Sequence, residues 1–224
     1  MIISVLNQKG GSGKTTISIN LARALSDKRY KVLLVDSDPQ GSARDWSAAC
    51  DESSITVIGI DRPTLSRDVF KFSSLYDFII IDGAPQLANM ATSAIKCSDI
   101  IIIPVQPSPY DIWATEDLVD VIHARQNVAD GKPYAAFLIS RKIKNTTLGN
   151  EISNALSGYN LPILKNGTSQ RVVYAKTAAL GHTVFDSSND KEAMNEMILI
   201  SEELLSIVKT MKLGNLSNES SESW

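Results

Sequence analysis

A chain of 224 residues fits one α/β domain with a substantial core, and 43% hydrophobic and 21% charged residues are the proportions of a folded globular protein. No stretch approaches the roughly 20 apolar residues that span a bilayer, and Met1 runs into a short apolar segment without the pattern of a secretory leader, so the expected location is the cytoplasm. Cys50 and Cys97 stand far apart, too few ligands for a structural zinc site or a thiolate-held iron–sulfur cluster within the chain.

Ile2 to Leu6 is an apolar run without polar alternation, the pattern of a strand covered on both faces. A glycine-rich stretch follows, then helical spacing at Ile17, Leu21, Ala24 and Leu25. Val32 to Val35, Phe78 to Ile81 and Ile100 to Ile103 repeat the strand pattern, with a weaker strand near Ile55 to Ile60. Leu118, Val121 and Ile122 have helical spacing, Ala135 to Ile139 reads as a further strand and Pro162 to Leu164 as a short one. This alternation predicts a three-layer α/β fold, a mostly parallel central sheet with helices on both faces.

From about Asp190 to Met211, the spacing of Met194, Met197, Ile198, Leu205, Val208 and Met211 predicts an amphipathic helix closing against the body. Its polar side carries Glu192, Glu196, Glu202 and Glu203, the wrong sign for lying on an anionic membrane, so no stable membrane association is expected. Residues 1–213 read as a single domain, and 214–224, rich in Ser, Asn and Glu, as a disordered tail. The net charge of −3 hides an asymmetry: residues 131–182 hold 7 Lys/Arg against 1 Asp/Glu, whereas residues 183–224 hold 3 against 8. The segment from 131 to 182 is the basic part of the chain.

The segment Lys9-Gly10-Gly11-Ser12-Gly13-Lys14-Thr15-Thr16 sits between a strand and a helix. Glycines let consecutive amides approach an anion, and the helix N-terminus adds its positive dipole end. Phosphate is the expected guest, with Lys14 as point charge for the β- and γ-phosphates and the Thr15 hydroxyl completing the coordination of magnesium. Asp36 and Asp38 follow the strand Val32 to Val35, and Asp82 follows Phe78 to Ile81. Parallel strands bring these loops to one edge, the carboxyl ends where doubly wound folds bind ligands. Each aspartate alone also suits a turn or a helix cap.

The usual first glycine of the phosphate loop is replaced by Gln8, and Lys9 stands before the double glycine. This deviant P-loop resembles that of the ParA/MinD family, closest to the small plasmid-partition members without an N-terminal helix-turn-helix domain. The resemblance implies a P-loop NTPase fold, weak ATP hydrolysis, ATP and Mg2+ as cofactors, and an ATP-induced homodimer in which Lys9 reaches the partner's phosphates. It implies catalytic roles for Lys9, Lys14 and Asp38, with magnesium held by Thr15, Asp36 and Asp82. Pro104 to Asp111 is similar to the family's proline-rich segment beside the nucleotide, which makes Pro107 a candidate contact, although a rigid turn alone would also account for the prolines. Ser140 and Arg141 stand where relatives approach the adenine.

Nonspecific DNA binding needs only exposed cations facing phosphates. Lys142, Lys144, Lys165, Arg171 and Lys176 are the candidates, with Arg171 in a segment similar to a DNA-associated arginine segment of the family; a generic solvated face is the alternative. The leading expectation is plasmid partition: the ATP dimer binds nonspecific double-stranded DNA at the nucleoid, and a centromere-binding adaptor of ParB type stimulates hydrolysis and release. The second is a related ATPase that positions a protein cargo on the nucleoid. A membrane-surface regulator of MinD type, a nitrogenase-like reductase and a metabolic kinase or ligase rank below.

Overall fold

The computed structural model describes residues 1–50, 55–85, 88–143 and 148–219. Its centre is a parallel sheet of six strands, β1 (Ile2–Val5), β2 (Val32–Asp36), β3 (Thr56–Gly59), β4 (Phe78–Asp82), β5 (Ile100–Val105) and β6 (Tyr134–Ile139), in the order β3-β2-β4-β1-β5-β6. The short strand expected at Pro162 to Leu164 is reduced to one parallel bridge between Ile163 and Phe137.

The helices are α1 (Lys14–Asp27), α2 (Ser42–Ala48), α3 (Leu65–Phe70), α4 (Ala88–Cys97), α5 (Pro109–Trp113), α6 (Glu116–Asn127), α7 (Leu148–Ser157), α8 (Val172–Ala178) and α9 (Lys191–Glu219). Successive strand residues point to opposite faces, and the core divides accordingly. Ile3, Val5, Leu34, Ile80 and Ile102 pack with Ile17, Leu21 and Leu25 of α1 and with Ala193, Met197, Ile200, Leu204 and Val208 of α9. Ile2, Leu33, Val35, Ile79, Ile81 and Ile103 pack with Leu65 and Val69 of α3, Ala94 and Ile95 of α4, and Leu118 and Ile122 of α6. Both faces of the sheet are covered, which is why the strands read as unbroken apolar runs.

The expected helical stripes shift in detail. Val121 is exposed, and α9 turns Ala193, Ile200 and Leu204 inward along with Met197 and Val208. The helix continues to Glu219, so the boundary placed at residue 214 falls inside it.

Register decides the functional edge. Val5 and Asp36 both pair with Asp82, so the ends of β1, β2 and β4 lie side by side. The phosphate loop, the Asp36–Asp38 turn and Asp82 therefore converge on one side of the sheet.

Candidate nucleotide site

The loop after β1 needs glycine where the backbone turns left-handed: Gly11 and Gly13 have φ of 74° and 98°. Its outer strands brace it. Asn7 Nδ2 donates to Pro104 O at 2.7 Å, Gln106 Nε2 donates to Gly11 O at 2.8 Å and Ser140 Oγ donates to Ser12 O at 2.9 Å. Arg141 adds a longer bond to Gly11 O at 3.3 Å. Lys14 arches back over the loop, its Nζ donating to Lys9 O at 3.0 Å. Burial lowers the Lys14 ammonium below the ordinary lysine value, against the opposing charges of Asp82 and Asp38.

A cavity of about 610 Å³ opens over this loop, lined by Gly10, Gly11, Gly13, Lys14, Thr15 and Thr16 at one end and by Tyr174, Ala175 and Ala178 of α8 at the other. Asp38, Ser140, Arg141, Thr168 and Gln170 also line it. The volume and the mixture of loop amides, one buried cation and apolar wall match a bound nucleotide. Asp38 is half-buried at the rim, its Oδ1 accepting from Gln40 N at 2.9 Å.

Asp82 lies beneath the loop with 1% exposure. Burial pushes its carboxyl up to about 7, helped by the charge of Asp36 and opposed by the Thr15 and Ser18 hydroxyls and by Lys14. Oδ1 accepts from Ser18 Oγ at 3.2 Å, while the buried Oδ2 has no hydrogen-bond partner among the described residues. A buried carboxylate oxygen left over beside a threonine hydroxyl is the donor set that fits magnesium, a hard cation that takes few protein oxygens and keeps its waters.

Asp36 does not join that set. Its Oδ1 accepts from Asp38 N at 3.0 Å, and its Oδ2 accepts from Ala43 N and Arg44 N, both at 3.0 Å. Its Oδ2 satisfies two of the first amides of α2, so Asp36, expected to hold metal, braces that helix, and Asp82 is the carboxylate that keeps a buried oxygen unpaired among the described residues. Pro107, the candidate contact of the proline-rich segment, does not line the cavity among the described residues, and Gln106 is the side chain of that loop that reaches the phosphate loop.

Lys9 stands outside the cavity, and its Nζ pairs with Asp111 Oδ2 of α5 at 2.6 Å. The lysine side chain is 39% exposed and the aspartate side chain 5%, and Asp111 Oδ1 is buried without a hydrogen-bond partner among the described residues. Nothing in the sequence pattern marks Asp111 except its place in the proline-rich segment. The α8 wall of the cavity was equally hidden, because it is brought to the loop only by the return of the chain after β6.

The expected DNA surface is largely dismantled. Arg171 Nη1 pairs with Asp190 at 3.0 Å, its Nη2 with Glu192 and its Nε with Glu196 at 3.5 Å, leaving the side chain 16% exposed. It is a structural clasp between α8 and α9, not an available cation. Glu203 accepts from Lys165 N and Asn166 N, so acids of α9 fold back over the basic segment. Lys165 and Lys176 remain exposed, Lys142 is half-buried, and Lys144 lies outside the described residues.

The family model described as the CobQ/CobB/MinD/ParA nucleotide binding domain matches residues 3–198. The chain therefore belongs to this family and is a P-loop ATPase of ParA/MinD type. It is 29% identical over 209 residues to the maintenance of carboxysome distribution protein A of Halothiobacillus neapolitanus, with 91% of this chain and 95% of that one covered. The fold is similar to that of Cyanothece McdA in a complex with ATP, with a TM-score of 0.77 at 15% identity over 91% of this chain and 95% of that one. It is also similar to a Borrelia burgdorferi protein assigned to plasmid partition and bound to AMPPNP, with a TM-score of 0.69 at 23% identity over 92% and 98%. Among the described residues no helix is long and apolar enough to cross a membrane.

Proposed function

We propose that the chain is an ATP-switched positioning ATPase that distributes a protein cargo over the nucleoid, working as a homodimer when ATP is bound. The observation that carries the switch is Lys9: a cation at the rim of the phosphate loop, outside its own cavity and held by a single carboxylate. From there it can leave for the phosphates of a second subunit. The choice of cargo rests on likeness along nearly the whole of both chains to a carboxysome distribution protein. That supports protein cargo over the plasmid partition ranked first from sequence, which the Borrelia likeness favours at the level of fold alone.

The chemistry follows from the site. The amides of Gly10 to Thr16 bind the phosphates, and Lys14 neutralises the charge that spreads over the phosphoryl oxygens in transfer. Asp38, at the cavity rim, orients the attacking water. Thr15 and Asp82 would hold magnesium, which when bound would supply charge neutralisation at the β- and γ-phosphates. Hydrolysis removes the γ-phosphate that Lys9 bridges, the dimer parts, and the two states differ in their hold on DNA. A cargo adaptor that accelerates hydrolysis sets where release occurs.

The test is deletion of the gene in its host, scoring plasmid retention and the distribution of large protein assemblies together. Clustered or unevenly inherited protein assemblies with normal plasmid retention are expected. Plasmid loss with evenly spread assemblies would return the function to partition.

A further inference from the structure

With Arg171 paired to acids, a second cluster of cations lies outside the basic segment 131–182. The buried side of α3, Leu65 and Val69, is fixed against the sheet, and Ser66 N donates to Ser93 Oγ of α4, which donates on to Pro63 O. On the outer side Asp68 gathers three cations: Lys71 Nζ at 2.8 Å, Arg62 Nη2 at 3.3 Å and Arg67 Nε at 3.8 Å. Thr64 Oγ1 donates to the same carboxylate at 2.7 Å. Hydrogen bonds from Lys71 and Thr64 hold the Asp68 carboxyl well below the usual carboxylate range, so it stays charged and keeps the cations in place.

One negative charge against three positive ones leaves a surplus, and it points outward. The Asp68 side chain is 7% exposed, whereas those of Arg62, Arg67 and Lys71 are 70%, 74% and 67% exposed. Asp61, the adjacent acid, is paired with Arg44 at 3.3 Å. Lys96 is exposed on α4, one turn beyond Ser93, which extends the basic face. Cations this exposed gain little from a single carboxylate of a protein partner. Against a polyphosphate each one releases a condensed counterion.

We propose that Arg62, Arg67 and Lys71, gathered on Asp68, form a contact surface for the phosphate backbone of double-stranded DNA. This rests on the nucleoid reading above and names the residues that carry it. The contact is independent of base sequence, because none of it is shaped to read base edges.

The full chain, the Arg67→Ala/Lys71→Ala variant and the charge-preserving Arg67→Lys/Lys71→Arg variant are titrated with random-sequence duplex DNA in Mg-ATP at several salt concentrations. Loss of two cations should flatten the slope of log affinity against log salt by about 2 for each subunit in contact, and the charge-preserving variant should keep the slope of the parent. ATP turnover stays at the parental level, since these residues lie outside the nucleotide cavity. Arg62 and Thr64 still hold Asp68 in the double variant; if it nevertheless melts early, Lys71→Gln alone should flatten the slope by about 1 per subunit. An unchanged slope in a folded variant overturns the proposal, and does so in favour of an acidic protein partner if binding of polyglutamate is lost instead. If the parent chain shows no ATP-dependent retention on DNA, the nucleoid reading fails as a whole. Retention with an unaltered slope removes only this surface.

Discussion

Replacing Asp111 with Asn removes the charge that holds Lys9 while keeping the size of the side chain. In the proposed two-subunit site, Lys9 of the parent chain must leave a carboxylate that is 5% exposed and whose other oxygen has no hydrogen-bond partner among the described residues. Stranding a fully buried ion costs about 3–5 kcal/mol; with the lysine 39% exposed, solvent screening brings this to about 1–2 kcal/mol per subunit. Two subunits give about 2–4 kcal/mol, or roughly 30- to 1,000-fold in the dimer dissociation constant. Asp111→Asn should therefore dimerise in ATP at a correspondingly lower protein concentration, measured by sedimentation or light scattering. ADP should still yield monomer, because nothing then draws Lys9 across. An unchanged or weakened ATP dimer in the folded variant would refute this, and would mean that Asp111 serves the dimer instead of restraining it.

Two further outcomes follow from the buried charges. The folded carboxyl of Asp82, at about 7, lies above its ordinary 3.8, so the fold favours the protonated form; that stabilisation is complete below about pH 4 and lost as pH rises through about 7. In magnesium-free buffer Asp82→Asn should melt at higher temperature than the parent near pH 7.5, by an amount worth up to about 4 kcal/mol, with the gap closing at pH 4 and ATP turnover abolished. Arg171→Ala should lower stability by about 1–2 kcal/mol, because Asp190 and Glu196 keep their other hydrogen bonds but lose the cation between them. Denaturant melts check this, and the salt dependence of DNA binding should stay unchanged; a flatter slope at unchanged stability would restore Arg171 as a DNA contact.

The residues themselves determined the strands, the phosphate loop and the edge where Asp38 and Asp82 meet it. Those features are local, since a strand covered on both faces must be continuously apolar and a phosphate loop needs glycine at particular steps. Sequence also located the strand-like piece at Ile163, though not its reduction to one bridge. Roles that depend on which polar groups face one another were not legible. Asp36 and Asp82 end neighbouring strands in register, yet one accepts from two amides of α2 and the other keeps a buried oxygen with no hydrogen-bond partner among the described residues.

Charge shows the same division. Counting along the chain marks residues 131–182 as basic, but charges act through space, and Asp190 before α9 and Glu192, Glu196 and Glu203 within it lie against that segment. Meanwhile Arg62, Arg67 and Lys71, outside that basic segment of the sequence, are collected by one buried carboxylate. Lys9 carries both lessons. Its place before the glycines is a matter of sequence, and its restraint by Asp111, 102 residues away, exists only because β5 lies next to β1 and delivers α5 to the rim of the loop.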